Sequence, residues 1–176
     1  MEKWKTLDKE KVLDAHCFSY FRHTNRSPIS GKERKFDVLK CPDWVNVIVK
    51  TKENNFVMIK QFRHGADAVT LEVPAGCVEE GEDIIEAGKR EVLEETGYEA
   101  ENWQIIGKQS PNPAFISNYC YTVYADNAVK TSEQNLDEFE EIDVLLMNEN
   151  QIVEAIKNGD LNHSLIVAAF MYCKLL

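Results

Sequence analysis

The spacing of apolar and polar residues predicts a chain that alternates between strands and helices. Alternating apolar positions rich in β-branched and aromatic residues predict strands at residues 12–26, 32–40, 44–51, 56–62, 69–73, 103–108, 119–125 and 142–147. Polar turns containing Pro, Gly or Asn separate the first pair of strands (residues 27–31) and the second pair (residues 52–55). The pattern therefore indicates two hairpins in the first third of the chain.

Three segments have the 3.6-residue period of helices. The first, residues 83–96, precedes Gly97, which we expect to adopt the left-handed conformation that ends many helices. The second, residues 149–158, ends before Gly159, and the third covers residues 163–175. The third carries an apolar stripe made of Leu165, Ile166, Ala169 and Phe170. Strands interspersed with such helices predict an α/β fold.

The charge of the chain restricts its partners. The 176 residues include 20 Lys or Arg and 30 Asp or Glu, a formal net charge of -10. Nonspecific binding to nucleic acid or to anionic membranes depends on basic patches, so we expect neither partner. If an acidic protein acts on an anionic substrate, metal cations must lie between them to offset the repulsion of like charges.

The cysteines indicate a reducing compartment. Five are present, at positions 17, 41, 77, 120 and 173, and no two form a Cys-x-x-Cys pair. We expect reduced thiols in a cytoplasmic protein. The first residues lack the apolar run of a signal peptide, and no stretch approaches membrane-spanning length, which fits that expectation.

The first predicted helix concentrates carboxylates on one face. Glu91 precedes Glu94 by three residues and Glu95 by four, so the three acids share a face that overlaps the apolar side carrying Val92. Partly buried like charges are unfavourable unless something neutralises them. Mg²⁺ and Mn²⁺ prefer carboxylate and phosphate oxygens, so the helix predicts a metal and phosphate site. The alternative is an ordinary solvated acidic face.

The order of residues around this helix resembles the box of the Nudix hydrolases. The matching positions are Gly76, Glu82, Arg90, Glu91, Val92, Glu94, Glu95 and Gly97, while Tyr98 stands where the box usually has an aliphatic residue. The resemblance implies a Nudix α/β/α sandwich with a mixed sheet over residues 42–176. Residues 1–41 would then form an N-terminal β-hairpin extension, which we expect to mediate dimerisation.

The resemblance also implies a role for each residue of the box. The metal ligands would be the carbonyl of Ala75 and the carboxylates of Glu91 and Glu95. Glu94 would bind directly or through water, while Arg90 and Glu82 would fix the loop and orient the acids. Two or three Mg²⁺ ions per site, or Mn²⁺ ions, would support hydrolysis of a phosphoanhydride.

Segments outside the box resemble ADP-ribose and nucleoside-diphosphate-sugar pyrophosphatases. These segments are residues 61–64, residues 70–76 and Pro113, which follows Gly97 by 16 residues. Residues 135–142 resemble the second acidic loop of those enzymes. This implies Glu138 as general base and Glu140 as a further metal ligand, with Glu140 or Glu141 as the alternative base. Here too, ordinary solvated acids are the other interpretation.

The implied activity is hydrolysis of ADP-ribose or a related nucleoside-diphosphate sugar to a nucleoside monophosphate and a sugar phosphate. Residues 114–118 lack the acid that many ADP-ribose hydrolases carry there, which favours a broader range that includes GDP-mannose. Candidate substrate contacts are Arg63, Trp44 and Pro113, although Arg63 could instead be a surface residue and Trp44 part of the core. Another Nudix substrate remains an alternative, as does a non-catalytic module that senses a nucleotide sugar.

The N-terminal aromatics point to self-association. Pyrophosphatases of the resembled group are typically homodimers whose N-terminal strands reach the partner's substrate site. The hairpin of this chain carries Phe18, Tyr20, Phe21 and Phe36, more aromatic surface than an isolated hairpin can bury. We therefore expect a homodimer, the alternative being that these rings pack on the chain's own core.

Overall fold

The computed structural model describes residues 1–173, which divide into two compact units. The first unit combines Met1–Asp43 with Ser110–Tyr119, and the second combines Trp44–Gln109 with the chain from Cys120 onward. None of the helices in the described residues is both long and apolar enough to cross a membrane.

The first unit is a three-stranded antiparallel sheet. Its strands are β1 (Lys5–Asp14), β2 (Ser19–Arg26) and β3 (Glu33–Lys40), in the order β1-β2-β3. Strands β2 and β3 are the predicted hairpin. Segment 110–119 packs beside β3, where the Leu39 N–H donates to the Phe115 carbonyl at 2.7 Å.

The prediction of a single strand over residues 12–26 was wrong. The chain turns at Ala15, whose N–H donates to the Phe18 carbonyl at 2.9 Å, and residues before the turn form β1. Every residue of β1 is exposed, so the strand buries no apolar face and its sequence has no apolar alternation. Backbone pairing with β2 defines this strand.

The second unit contains an eight-stranded mixed sheet. Its strands are β4 (Trp44–Thr51), β5 (Phe56–Arg63), β6 (Ala68–Glu72), β7 (Ala75–Cys77), β8 (Tyr98–Glu99), β9 (Asn102–Gln109), β10 (Cys120–Lys130) and β11 (Ile142–Met147). Strands β4 and β10 are parallel, and the other pairs are antiparallel. The sequence pattern did not predict β7 and β8, because strands of three and two residues are too short to show a period.

Helices cover both faces of this sheet. They are α1 (Ile84–Thr96), α2 (Glu149–Asn158) and α3 (Ser164–Tyr172). Alternate residues of β4 point to opposite faces. Val47 packs in the cluster that holds Val92 of α1, and Ile48 in the cluster that holds Phe170 of α3. The predicted α/β/α sandwich is therefore confirmed.

The helix ends agree with the sequence signals. Asp83 caps α1 by accepting hydrogen bonds from the N–H groups of Ile85 and Glu86, and Gly97 follows the helix at φ +71°. Helix α3 carries the predicted stripe, in which Ile166, Ala169 and Phe170 are buried and Leu165 is half-buried. The predicted end of that helix, Leu175, lies outside the described residues.

Strands β4 and β5 separate along part of their length, and this opening in the sheet can accommodate a functional site. Strands β4 and β5 pair at Val49/Val57 and Lys50/Phe56 and then separate, so that β7 pairs with β4 while β6 pairs with β5. The link between β6 and β7 spans the gap, and its Pro74 carbonyl accepts a hydrogen bond from the Val47 N–H at 2.9 Å. This arrangement brings β7 against the acidic face of α1.

Candidate active site

An acidic cleft of about 420 Å³ lies in the second unit. It is lined by Trp44, Gln61, Arg63, Ala75, Gly76, Cys77, Arg90, Glu91, Glu94, Glu95, Asn135, Leu136, Asp137, Glu138 and Glu140. Six of these side chains are carboxylates and two are guanidinium groups. The cleft thus brings the acids of α1 together with those of the loop between β10 and β11, as their predicted roles require.

Glu95 is the most deeply buried acid of the cleft, with 2% of its surface exposed. Burial raises the pKa of its carboxyl to about 9, although the Ala75 N–H, which donates to Oε2 at 3.0 Å, favours the ion. The charges of Glu91 and Glu140 raise this pKa further, while Arg63 lowers it. An ionised Glu95 therefore needs an additional positive charge beside it.

Arg90 ties the loop before α1 to the acids of the helix. Its Nε and Nη2 donate to the two carboxylate oxygens of Glu82, each at 3.1 Å, and Nη2 also donates to the Cys77 carbonyl. Its Nη1 donates to Glu91 at 2.8 Å and to Glu94 at 3.4 Å. These bonds, led by the Glu82 pair, raise the pKa of Arg90. The contacts fit the predicted orienting role of Arg90 and Glu82.

Glu91 faces both the helix acids and the glycine of the box. Burial raises the pKa of its carboxyl, while the bond to Arg90 opposes that rise. A Cβ placed on Gly76 would overlap this carboxylate. The box glycine is therefore required by the close approach of β7 to Glu91, a reason that the sequence alone did not reveal.

Two of the loop acids reach the cleft in different settings. Glu140 is half-buried, and its charge raises the pKa of both Glu91 and Glu95. Glu138 also lines the cleft but is exposed. The structure thus brings Glu140 into the electrostatic environment of the helix acids, whereas Glu141 is exposed and does not line the cleft.

Arg63 has a buried partner that the sequence analysis missed. Its Nε and Nη2 donate to the two oxygens of Glu72 at 2.8 and 2.7 Å, and the Thr70 hydroxyl donates to Glu72 at 2.6 Å. Glu72 is 1% exposed, so Arg63 is paired with a buried carboxylate and is not a free surface residue. Two of its three guanidinium nitrogens are bonded to Glu72, so only part of the group can contact a substrate. The alternation of β6, which places Thr70 and Glu72 on one face, is the sequence signal that could have indicated this network.

The donor set suits hard divalent cations. Glu91, Glu95, Glu140 and Ala75 line the same cleft, and burial raises the pKa of Glu95, so a cation beside it would favour its ionised form. As the side chains stand within residues 1–173, no three acidic, His or Cys side chains form a preassembled cation site. Glu91 is instead paired with Arg90, whose Nη1 lies 2.8 Å from the Glu91 Oε1.

Most of the chain also matches a known protein family. A family model described as NUDIX domain matches residues 42–170, more than two thirds of the chain. The chain belongs to the Nudix family.

Several known proteins are similar to this chain over nearly all of its sequence and of their own. A methanol dehydrogenase activator of Bacillus methanolicus is 31% identical over 172 residues, which cover 97% of this chain and 92% of the relative. An ADP-ribose pyrophosphatase of Bacillus subtilis is 27% identical, with the same coverage of 97% and 92%. The crystal structure of an ADP compounds hydrolase has a TM-score of 0.87 at 21% identity and covers 99% of this chain and 94% of that one, which supports the fold.

The remaining predicted residues of this Nudix protein lie in different places. Trp44 lines the cleft at the start of β4 and is half-buried. Glu82 contacts the site through Arg90. Pro113 belongs to segment 110–119 of the first unit and is exposed, so its substrate role stays a prediction, as do the roles of the other residues.

Removal of Arg63 is expected to destabilise the fold. Arg63→Ala would leave Glu72 buried without a cation, which should lower the free energy of unfolding by about 3–5 kcal/mol at pH 7. The matched control is Arg26→Ala, because Arg26 also lies 2.7 Å from a carboxylate, that of Glu33, but both side chains are about half exposed. That change should cost less than about 1 kcal/mol in urea unfolding. Equal costs would contradict the buried pairing.

The cost of Arg63→Ala should also depend on pH. Burial opposes ionisation of Glu72, but the bonds from Arg63 and Thr70 outweigh it and hold the pKa below its ordinary value of 4.5. The pair therefore stabilises the wild type fully above that value and less as the pH falls through the lower folded pKa. The difference between wild type and Arg63→Ala should shrink from pH 7 to about pH 4, where Glu72 of the variant can take up a proton. A difference that grows over this interval would contradict the assignment.

Proposed function

We propose that this Nudix protein is a divalent-cation-dependent pyrophosphatase that hydrolyses ADP-ribose and related nucleoside-diphosphate sugars. The products would be a nucleoside monophosphate and a sugar phosphate. The observation that carries the proposal is the convergence of the box acids Glu91, Glu94 and Glu95 with Glu138 and Glu140 in one cleft. The ADP-ribose pyrophosphatase of similar length supports the choice of substrate.

In this proposal, each residue of the cleft has a role in metal binding or in catalysis. Glu91, Glu95, Glu140 and the Ala75 carbonyl would hold two or three ions, with Glu94 as a further ligand. When bound, Mg²⁺ or Mn²⁺ would neutralise phosphate oxygens and lower the pKa of water. Glu138 would accept a proton from the attacking water, and Arg90 would keep the helix acids in place through its bonds to Glu82.

Two residues would position the substrate. Glu72 occupies Nε and Nη2 of Arg63, whereas Nη1 makes no hydrogen bond to the described residues. The N–H groups of Nη1 can therefore face a phosphate or ribose oxygen of the substrate. Trp44 lines the same cleft and offers a ring on which a base can stack. None of the five cysteines, all of which lie within residues 1–173, forms a disulfide, which supports a reducing, cytoplasmic location.

A substrate panel tests this proposal. Purified protein is incubated with ADP-ribose, GDP-mannose, other nucleotide sugars, a dinucleoside polyphosphate and nucleoside triphosphates, each with Mg²⁺ or Mn²⁺. We expect nucleoside monophosphate from the nucleotide sugars, and most rapidly from ADP-ribose. Preferential turnover of triphosphates or dinucleoside polyphosphates would favour another Nudix activity, and binding without turnover would favour a sensing module.

A second candidate function is regulation of a dehydrogenase. It is favoured by the name of the 31% identical relative, methanol dehydrogenase activator. An assay of a methanol dehydrogenase with and without this protein would test it. Activation by the wild type but not by Glu95→Gln would make regulation a consequence of hydrolysis, whereas equal activation by both would indicate a non-catalytic role.

We also propose that the first unit forms a homodimer interface. In this unit, all of whose residues are described, Ser27 is the one buried residue. Trp4 and Leu13 expose 41% and 54% of their surface although Trp4 packs edge-on against Phe36. A sheet with so little buried surface needs a covering partner to be stable.

Disruption of that surface should yield a monomer. We expect the wild type to sediment as a dimer at micromolar concentration and Trp4→Asp combined with Leu13→Asp to sediment as a monomer. Val69→Asp changes a side chain that is 65% exposed in the second unit and should leave the dimer intact. A wild-type monomer at this concentration would overturn the dimer proposal.

A further inference from the structure

The C-terminal end of α1 is joined to the acidic loop by its backbone carbonyls. The last carbonyls of a helix have no partner within the helix. Here the Glu94 carbonyl accepts a hydrogen bond from the Asn135 N–H at 2.9 Å, and the Gly97 carbonyl accepts one from the Thr131 N–H at 2.8 Å. A Cβ on Gly97 would overlap the Ser132 carbonyl, so the segment after β10 lies directly against the helix end.

Gln134 makes the most specific of these connections. Its side-chain Nε2 donates to the Glu95 carbonyl at 2.7 Å and to the Ile142 carbonyl at 3.0 Å. Glu95 is the buried acid of the cleft, and Ile142 is the buried first residue of β11. One side-chain amide therefore uses both of its N–H groups to link the helix to the strand that follows the loop.

The loop between these two anchors has little structure of its own. Residues 135–141 contain no helix or strand. Within them, the Glu140 N–H donates to the Asp137 carbonyl and the Asp137 N–H donates to the Glu140 carboxylate. Glu138 and Glu140 both lie in this stretch and line the cleft. The position of their carboxylates relative to Glu91 and Glu95 therefore depends on how the ends of the loop are held.

We propose that Gln134 is a positioning residue, which holds the acidic loop at the distance from α1 that catalysis requires. It contacts backbone carbonyls rather than substrate, and the inference rests on the proposed pyrophosphatase function. Displacement of catalytic groups by about 1 Å can cost on the order of 10²-fold in rate, so the loss of this link should reduce kcat more than it changes KM.

The test compares Gln134→Glu with a matched control. Gln134→Glu keeps the size of the side chain but presents carboxylate oxygens to two carbonyl oxygens, and we expect kcat for ADP-ribose to fall about 10–100-fold. Gln104→Glu makes the same chemical change at an exposed position of β9 and should leave kcat unchanged. If Gln134→Glu folds poorly, Gln134→Asn retains the amide but is too short to reach both carbonyls, and it should show the same fall in kcat.

A double-mutant cycle separates positioning from a general structural effect. In a background that carries both Glu138→Gln and Glu140→Gln, the further loss from Gln134→Glu should be less than about threefold, because both catalytic acids that the loop positions have already been removed. Equal losses in both backgrounds, or an unchanged kcat for Gln134→Glu, would overturn the proposal.

Hydrogen–deuterium exchange tests the link without relying on activity. Amides of residues 135–141 should exchange faster in Gln134→Glu than in the wild type or Gln104→Glu, while α1 stays protected. Unchanged exchange of the loop would overturn the proposal whatever the enzyme hydrolyses. If the loop exchanges faster in Gln134→Glu but the wild type has no pyrophosphatase activity, the link is supported and the proposed function is refuted.

Discussion

Glu95→Gln is expected to lower kcat for ADP-ribose hydrolysis on the order of 10³-fold, because it removes one charged ligand at constant shape. The amide oxygen can still accept the Ala75 N–H, so the link between α1 and β7 should persist. Burial already disfavours the ionised carboxylate, and the neutral amide should therefore not reduce the stability of the metal-free protein.

A kinetic titration with Mg²⁺ measures this effect. Glu86→Gln is the matched control, since Glu86 lies on the same helix but is exposed and paired with Lys89. It should retain kcat within about twofold, as expected for an exposed side chain outside the cleft. Near wild-type kcat for Glu95→Gln at saturating Mg²⁺ would rule out Glu95 as a metal ligand.

Glu138→Gln is expected to lower kcat about 10²–10⁴-fold, the range for loss of general-base assistance. Glu138 is an exposed residue of the cleft and is not placed among the metal ligands, so its loss should leave Mg²⁺ affinity nearly unchanged. The combination of a large kcat effect and a small effect on metal affinity distinguishes a base from a ligand.

Glu140→Gln provides the contrast. Because Glu140 lies close enough to Glu91 and Glu95 to raise the pKa of both, its loss should weaken Mg²⁺ binding as well as turnover. Glu141→Gln should be close to neutral. If Glu138→Gln is neutral while Glu140→Gln or Glu141→Gln abolishes turnover at saturating metal, the base is misassigned by two or three residues.

The sequence predicted best what depends on local pattern. Helix α1 begins one residue after the predicted start and ends at the predicted residue, because Asp83 and Gly97 supply cap signals at both ends. The helical period also placed Glu91, Glu94 and Glu95 on one face, and the structure adds that Glu95 is the buried member. A 3.6-residue period and two caps are local information, which one sequence contains.

The contacts that join distant segments could not be predicted in the same way. Arg63 and Glu72 are nine residues apart and meet only because β5 and β6 pair, while Gln134 meets the Glu95 carbonyl across 39 residues. No local period predicts such partners. Strand β1 was missed for a related reason, since its charged, exposed residues show no apolar alternation and its order comes from pairing with β2.

The most direct test of the central claim is product formation from ADP-ribose with Mg²⁺ in the wild type and in Glu95→Gln. We predict that the wild type releases AMP and ribose 5-phosphate in equal amounts, that a chelator stops the release, and that Glu95→Gln is slower by about 10³-fold. Absence of AMP from the wild type with either Mg²⁺ or Mn²⁺, or equal rates in the wild type and Glu95→Gln, would contradict the account.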